Sequence, residues 1–218
     1  MGKITEAYVA EALIPALNRL GIAPVGAFHL DYGPETPALY VLMPSTSIEA
    51  LVYVEHKLAE DAEFMAAAEP FNSGSTSAPP FHRMESSLLL AFEGFPVLHT
   101  PVATASKGKR IFQLRTYESP TPAAHLRKVE MFHHGEFDFF RNAGCEAVFY
   151  SQTVIGPRMP SLTYMLTFKD LAALQAGWAA FGADPGWIKL KSDPRYSTDT
   201  IVSNISNLIL SPTAYSQI

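Results

Sequence analysis

The stretch GPRMPSLTYMLT, Gly156 to Thr167, is a proline-bracketed turn running into an alternating β segment, and GPETPALYVLMP, Gly33 to Pro44, has the same form. Gly33 and Gly156 lie 123 positions apart. The same offset pairs Gly21 with Gly144, Pro34 with Pro157, Pro37 with Pro160, Leu39 with Leu162 and Asp61 with Asp184, and sets Phe64 against Trp187. One register held across so many punctuation residues indicates an internal duplication of roughly 100 residues.

Working outward, the second copy reads as βαββαβ. IFQLRTY, Ile111 to Tyr117, is β-rich. A helix from about Thr121 to Arg141 opens on Thr-Pro and closes at Gly144; strands follow near 147–154 and 162–168. A second helix from Asp170 breaks at GADPGW, and a last strand lies near 202–210. That order predicts an α+β, ferredoxin-like sandwich with strands in the order 4-1-3-2 and both helices on one face. Leu162, Tyr164, Leu166 and Phe168 on one strand face, with Met165 on the other, imply that the second face is covered too. Two tandem ferredoxin-like repeats packing sheet to sheet, an α+β barrel within one chain, satisfy this requirement. The expected division is 1–95 for the first copy, 96–108 for a linker and 109–218 for the second. The first copy begins in its helix near Ile4, so no counterpart of IFQLRTY precedes it. The expectation is an incomplete first copy whose slot takes an upstream segment or a second chain.

Composition bounds the function. The 218 residues are 48% hydrophobic and 17% charged, with a net charge of -5 and no basic run. A nucleic-acid partner is therefore not expected. The longest apolar runs fall far short of the roughly 20 residues a membrane span needs. One cysteine, Cys145, excludes an intrachain disulfide, fits a reducing compartment and reads as a buried, inert thiol. The N-terminus carries no export signal, which places the chain in the cytoplasm as given, or outside if a lost leader carried such a signal.

Most of the candidate chemistry sits in the second copy. On the helix HLRKVEMFHHGEFDFFRNAG, helical spacing puts Leu126, Val129, His133, Phe137 and Phe140 on the stripe facing the sheet. His133 there is either a core histidine or a general base; with His134 it is also a weaker haem-ligand candidate. Glu130, His134 and Asp138 share a polar face, where a charge ladder needs no metal, and no metal is expected. Strand IFQLRTY places Gln113, Arg115 and Tyr117 on one face. If that face is covered, Arg115 must meet a carboxylate such as Glu136 or Asp184, or else a ligand anion. Tyr150 and Tyr164, on neighbouring strands, extend the polar cluster or simply pack. ADPGW reads as a helix break capped by Asp184 with Pro185 at the first position and Trp187 as a plug, or as a lid over a pocket lined by Trp178 and Phe181. Copy one is chemically poorer, with Ala10 opposite His133 and Glu35 opposite Arg158.

In LRTY (114–117), IGP (155–157), ADPGW (183–187) and SPTAYS (211–216), the chain resembles the NIPSNAP family, well over 109–218 and more weakly before. The resemblance implies the dimeric α+β barrel superfamily. It leaves activity open: bacterial members mostly lack an assigned one, and superfamily relatives include cofactor-independent oxygenases, dehydratases and isomerases. One expectation is therefore a cofactor-independent enzyme with His133 as base, Arg115 and Tyr164 holding a small carbonyl or carboxylate compound, and Gln113, Tyr117, Tyr150, Trp178 and Trp187 lining its site. The other is a non-catalytic binding or scaffold protein. A homodimer is the expected partner arrangement for either.

Overall fold

The computed structural model describes residues 2–33 and 35–218. Pro34, one of the repeated punctuation residues, lies outside them. Two compact units form: Met1–Leu30 with Pro34–Glu85 and Pro212–Ile218, and Asp31–Gly33 with Ser86–Ser211.

The first unit opens with one helical run, Lys3–Ala7, a π turn at Tyr8–Leu13, then Ile14–Arg19. Gly21 ends it at φ 77, a left-handed value that suits glycine. Strands β1 (Gly26–Tyr32) and β2 (Leu39–Leu42) pair antiparallel. Helices Ile48–Val52 and Val54–Glu60 follow, with Ser47 capping the first, and Ala62–Ala67 is capped by Asp61. Val9, Leu17, Ile22, Val25, Val54, Leu58 and Phe64 form the core. Residues 212–216 of the SPTAYS motif also belong here. Thr213 and Gln217 donate backbone N–H bonds to Ala27 and Val25, and the Tyr215 hydroxyl bonds Glu6.

The second unit contains β3 (Leu88–Ala91), β4 (Ile111–Glu118), β5 (Glu146–Ile155), β6 (Ser161–Phe168) and β7 (Asn204–Pro212). Their order is β7-β4-β6-β5-β3, all antiparallel. The four strands of the second copy thus stand in the 4-1-3-2 order, and β3, from the end of the first copy, extends the β5 edge. Among the described residues, Pro122–Met131, a π turn at Phe132–Glu136 and Phe137–Asn142 make the first helix; Leu171–Ala183 and Pro185–Lys191 make the second, broken at Asp184. Phe132, Phe140, Phe181, Tyr150, Tyr164 and Leu166 pack between helices and sheet. On the opposite face Phe112, Met165 and Leu210 are buried as well, as the two-sided apolar pattern requires.

Local structure recurs at the 123-residue offset. Both first helices carry a π turn at matching places. Ser47 and Asp170 cap matching helices, as do Asp61 and Asp184, and Gly21 and Gly144 have φ 77 and 75. Among the described residues, no strand of the first copy matches β4. Where β6 and β7 both bond to β4, their counterparts β2 and β3 each keep one edge without a strand partner among the described residues.

Close packing makes two tests available. A Cβ on Gly177 would lie 2.9 Å from the Cys145 sulfur and 3.1 Å from the Phe168 ring. Gly177→Ala gains at most about 1 kcal/mol of helix propensity and forfeits about 1–3 kcal/mol to overpacking. A net loss of stability, partly recovered by adding Cys145→Ala, is the expected result in urea denaturation. His125 is buried with its Nδ1 unbonded and Nε2 3.3 Å from Gln152 Oε1. Burial lowers its pKa, and the Gln152 bond opposes this only in part. Its contribution to stability is therefore complete above the unfolded value of about 6.5 and is lost as pH falls through the folded value. His125→Gln should flatten the decline in denaturation midpoint between about pH 7 and 5; an unchanged slope would remove His125 from the account.

Candidate functional site

β4 is bonded on both edges, so its alternation is rigidly expressed. Gln113, Arg115 and Tyr117 project toward the helices, where apolar residues would be ordinary. Gln113, 1% exposed, accepts from Trp178 Nε1 at 2.7 Å and donates to Asn207 Oδ1 at 2.9 Å. Its amide orientation is thereby fixed. Arg115 is half-buried; its guanidinium lies 4.3 Å from the Trp178 ring centroid and donates to the Tyr117 hydroxyl at 3.1 Å. That hydroxyl is 3.1 Å from the Tyr164 hydroxyl. The Arg115 Nε is buried without a hydrogen-bond partner, and no carboxylate of the described residues forms a salt bridge with Arg115. Burial opposes its charge, but the Tyr164 and Tyr117 oxygens outweigh this and raise its pKa, so it stays ionised. Burial, together with Tyr117, likewise holds Tyr164 far above the usual phenol range, against the pull of Arg115. Tyr164 is a neutral hydrogen-bond donor at neutral pH.

The carboxylates expected to meet Arg115 are engaged elsewhere. Asp184 accepts from Gly186 and Trp187 N–H, as the cap reading requires. Glu136, 1% exposed, takes two bonds from Lys128 Nζ at 2.8 and 3.1 Å. Burial raises the Glu136 pKa, with Lys128 and then Arg115 opposing it. Lys128 also stands 5.2 Å from the Tyr117 ring centroid and 4.7 Å from that of Phe132. Two cations therefore approach one tyrosine ring, and one carboxylate is paired with one of them. Lys128 and Glu136 escape a helical-wheel reading because the wheel assumes a regular helix.

The same irregularity displaces His133. The π turn, with Gly135 at φ 125, shifts the buried face, so Phe132 and Glu136 turn inward while His133 is exposed and Leu126 is 63% exposed. His133 Nδ1 donates to the Val129 carbonyl at 2.9 Å and Nε2 accepts from Gly94 N–H at 3.2 Å. With both nitrogens engaged, it ties the Gly94 turn to the helix and stands apart from Arg115, and the haem-ligand role has no free ring nitrogen to rest on. His134 bonds the Tyr196 hydroxyl at 2.6 Å, and that hydroxyl donates to Glu130. Tyr150, 1% exposed, packs in the aromatic layer opposite Tyr164, and burial raises its pKa. Trp187 packs on Phe181 in a tilted pair with centroids 4.5 Å apart, as a plug would. Cys145 is buried, its pKa pushed up to about 11.

Copy one supplies an internal comparison. Thr5 stands opposite Lys128, Leu13 opposite Glu136, Val41 opposite Tyr164 and Ala27 opposite Tyr150. The same helix with the same π turn is thus built without the charges.

Residues 112–217, just under half of the chain, match the family model described as NIPSNAP. This segment resembles a NIPSNAP domain. Among solved structures, an uncharacterized NIPSNAP-like domain protein from Burkholderia xenovorans is 20% identical, with 49% of this chain and 88% of that one covered and a TM-score of 0.43. A NIPSNAP family protein from Agrobacterium tumefaciens C58 gives 19%, 49%, 96% and 0.43 respectively. A monooxygenase-like protein from Lactobacillus acidophilus NCFM is only 8% identical but is covered over 86% of its length by 96% of this chain, with a TM-score of 0.58. That likeness concerns the fold and reaches beyond residues 112–217 into the first copy. Among curated proteins none matches the chain. No helix of the described residues is long and apolar enough to cross a membrane.

Removing one partner of the buried pair should cost far more than removing both. Lys128→Met strands Glu136 and is expected to lose about 3–5 kcal/mol. The double change Lys128→Thr with Glu136→Leu, which installs the residues of copy one, should lose much less. Chemical denaturation of the two variants decides this, and equal losses would refute it.

Proposed function

We propose that the NIPSNAP-like segment binds a small carbonyl or carboxylate compound at Arg115, as a cofactor-independent enzyme of oxygenase, dehydratase or isomerase type. The observation that carries this reading is a half-buried guanidinium, held by Trp178 and Tyr117, that has no carboxylate partner among the described residues and one buried N–H without an acceptor. A purely structural cluster would be expected to close on itself, because leaving a buried donor unmade costs about 1–3 kcal/mol. Copy one carries Thr5, Leu13 and Val41 at the positions of Lys128, Glu136 and Tyr164, so the polar set belongs to the second copy alone.

In this role Arg115 anchors the carboxylate or carbonyl oxygen of the bound compound. Tyr117 and Tyr164, linked hydroxyl to hydroxyl, supply neutral donors to the developing oxygen charge, a preorganised arrangement of the oxyanion-hole kind. Gln113 fixes the Trp178 indole on which the guanidinium rests. Tyr150 and Trp187 shape the apolar surroundings, and His133 has no part in the chemistry.

NMR titration of the full chain with small carboxylates and β-keto acids tests the reading. The Arg115 Nε–H and Trp178 indole N–H signals should move together and saturate, and Arg115→Gln should abolish the response while leaving the fold intact. Signals that stay fixed across the whole panel would end the proposal.

A further inference from the structure

Resting on that reading, we infer that the ligand is a monocarboxylate with an apolar body, because its single negative charge completes a cluster of two cations and one carboxylate. Lys128 and Glu136 are 5% and 1% exposed at their side chains and form a closed pair, so together they add no net charge. Arg115 adds one positive charge to the same neighbourhood: it bonds the Tyr117 hydroxyl and lies 5.4 Å from that ring, and Lys128 lies 5.2 Å from it. Charges inside a protein are weakly screened and must sum near zero locally. A neutral ligand leaves Arg115 uncompensated. A dianion leaves a surplus negative charge beside Glu136. A monoanion balances the cluster.

The body of the ligand follows from the open side. On β7, the residues opposite Tyr117 and Arg115 are Ile205 and Asn207, both exposed, whereas inward of Arg115 the space is occupied by Tyr164, Tyr150, Phe132 and Phe140. A carboxylate reaching Arg115 along β7 passes the Ile205 side chain, 43% exposed, and the Asn207 amide. Asn207 is already oriented by Gln113. This pairing of an exposed isoleucine with an amide suits an apolar group carrying one acid.

Three probes of similar shape test the charge: benzoate, its dianionic relative phthalate, and neutral benzamide, titrated by calorimetry at low ionic strength into the full chain. Benzoate is expected to bind at least tenfold more tightly than either. Glu136→Gln, which leaves Lys128 unpaired, should turn the preference toward phthalate. Lys128→Thr with Glu136→Leu removes the pair as a neutral unit and should keep the benzoate preference. Phthalate or benzamide binding as tightly as benzoate to the unaltered protein would overturn the inference, as would an unchanged order in folded Glu136→Gln. The order in the unaltered protein decides the matter even where a variant fails to fold. Absence of any response at Arg115 to any carboxylate is a different outcome: it would remove the binding site itself.

Discussion

Strand β4 is the constraint on which the second unit depends. Bonded to β6 on one edge and β7 on the other, it can neither slip nor twist away. Whatever its odd-numbered residues carry is therefore delivered into the helix layer. They carry Gln113, Arg115 and Tyr117. The aromatic layer, the Trp178 contact and the Lys128–Glu136 pair all form around that polar stripe rather than around a sealed apolar seam.

Charge burial on this scale is unfavourable unless it is used or repaid. The ion pair is well made, yet pairs of this kind often contribute no more to stability than apolar residues of similar volume. The first copy has no such pair: at the matching positions stand Thr5, whose hydroxyl donates to the Pro80 carbonyl, and Leu13, both half-buried. The scaffold therefore did not require the pair. What differs between copies is the presence of a strand that brings arginine and tyrosine to the helix layer, and the charges accompany that strand.

Much of this was legible in the sequence. The βαββαβ order of the second copy and the polar face of IFQLRTY rest on period-two alternation and on turn residues, both local signals that tertiary context seldom overrides. Arg115, Tyr117, Tyr164, Gln113 and Trp178 come together because strand alternation placed most of them correctly. His133 does not join them, for a specific reason: helical spacing counts about 100° per residue, and a π turn adds a residue without advancing the face. Gly135, at φ 125, was the visible sign, since a mid-helix glycine marks a place where regular geometry can fail. Lys128 and Glu136 were hidden by the same miscount and by the ordinary expectation that charged residues on a helix face water. The role of SPTAYS in the first unit was also beyond sequence reading, because it depends on a pairing between residues some 190 positions apart.

The π turn also sets the phase of the helix that contains it. Because the turn is made by an extra residue, the helix on either side is phased to that insertion, with Phe132 and Glu136 inward before and within it and Phe140 inward after it. Loss of one residue inside the turn would close it into regular helix and leave both flanking faces in phase. Loss of one residue elsewhere would rotate everything beyond the deletion by about 100°, carrying Phe140 off the aromatic layer. The turn is thus the one place where this helix can lose a residue as a surface loop does, and the matching turn in the first copy marks the same place there.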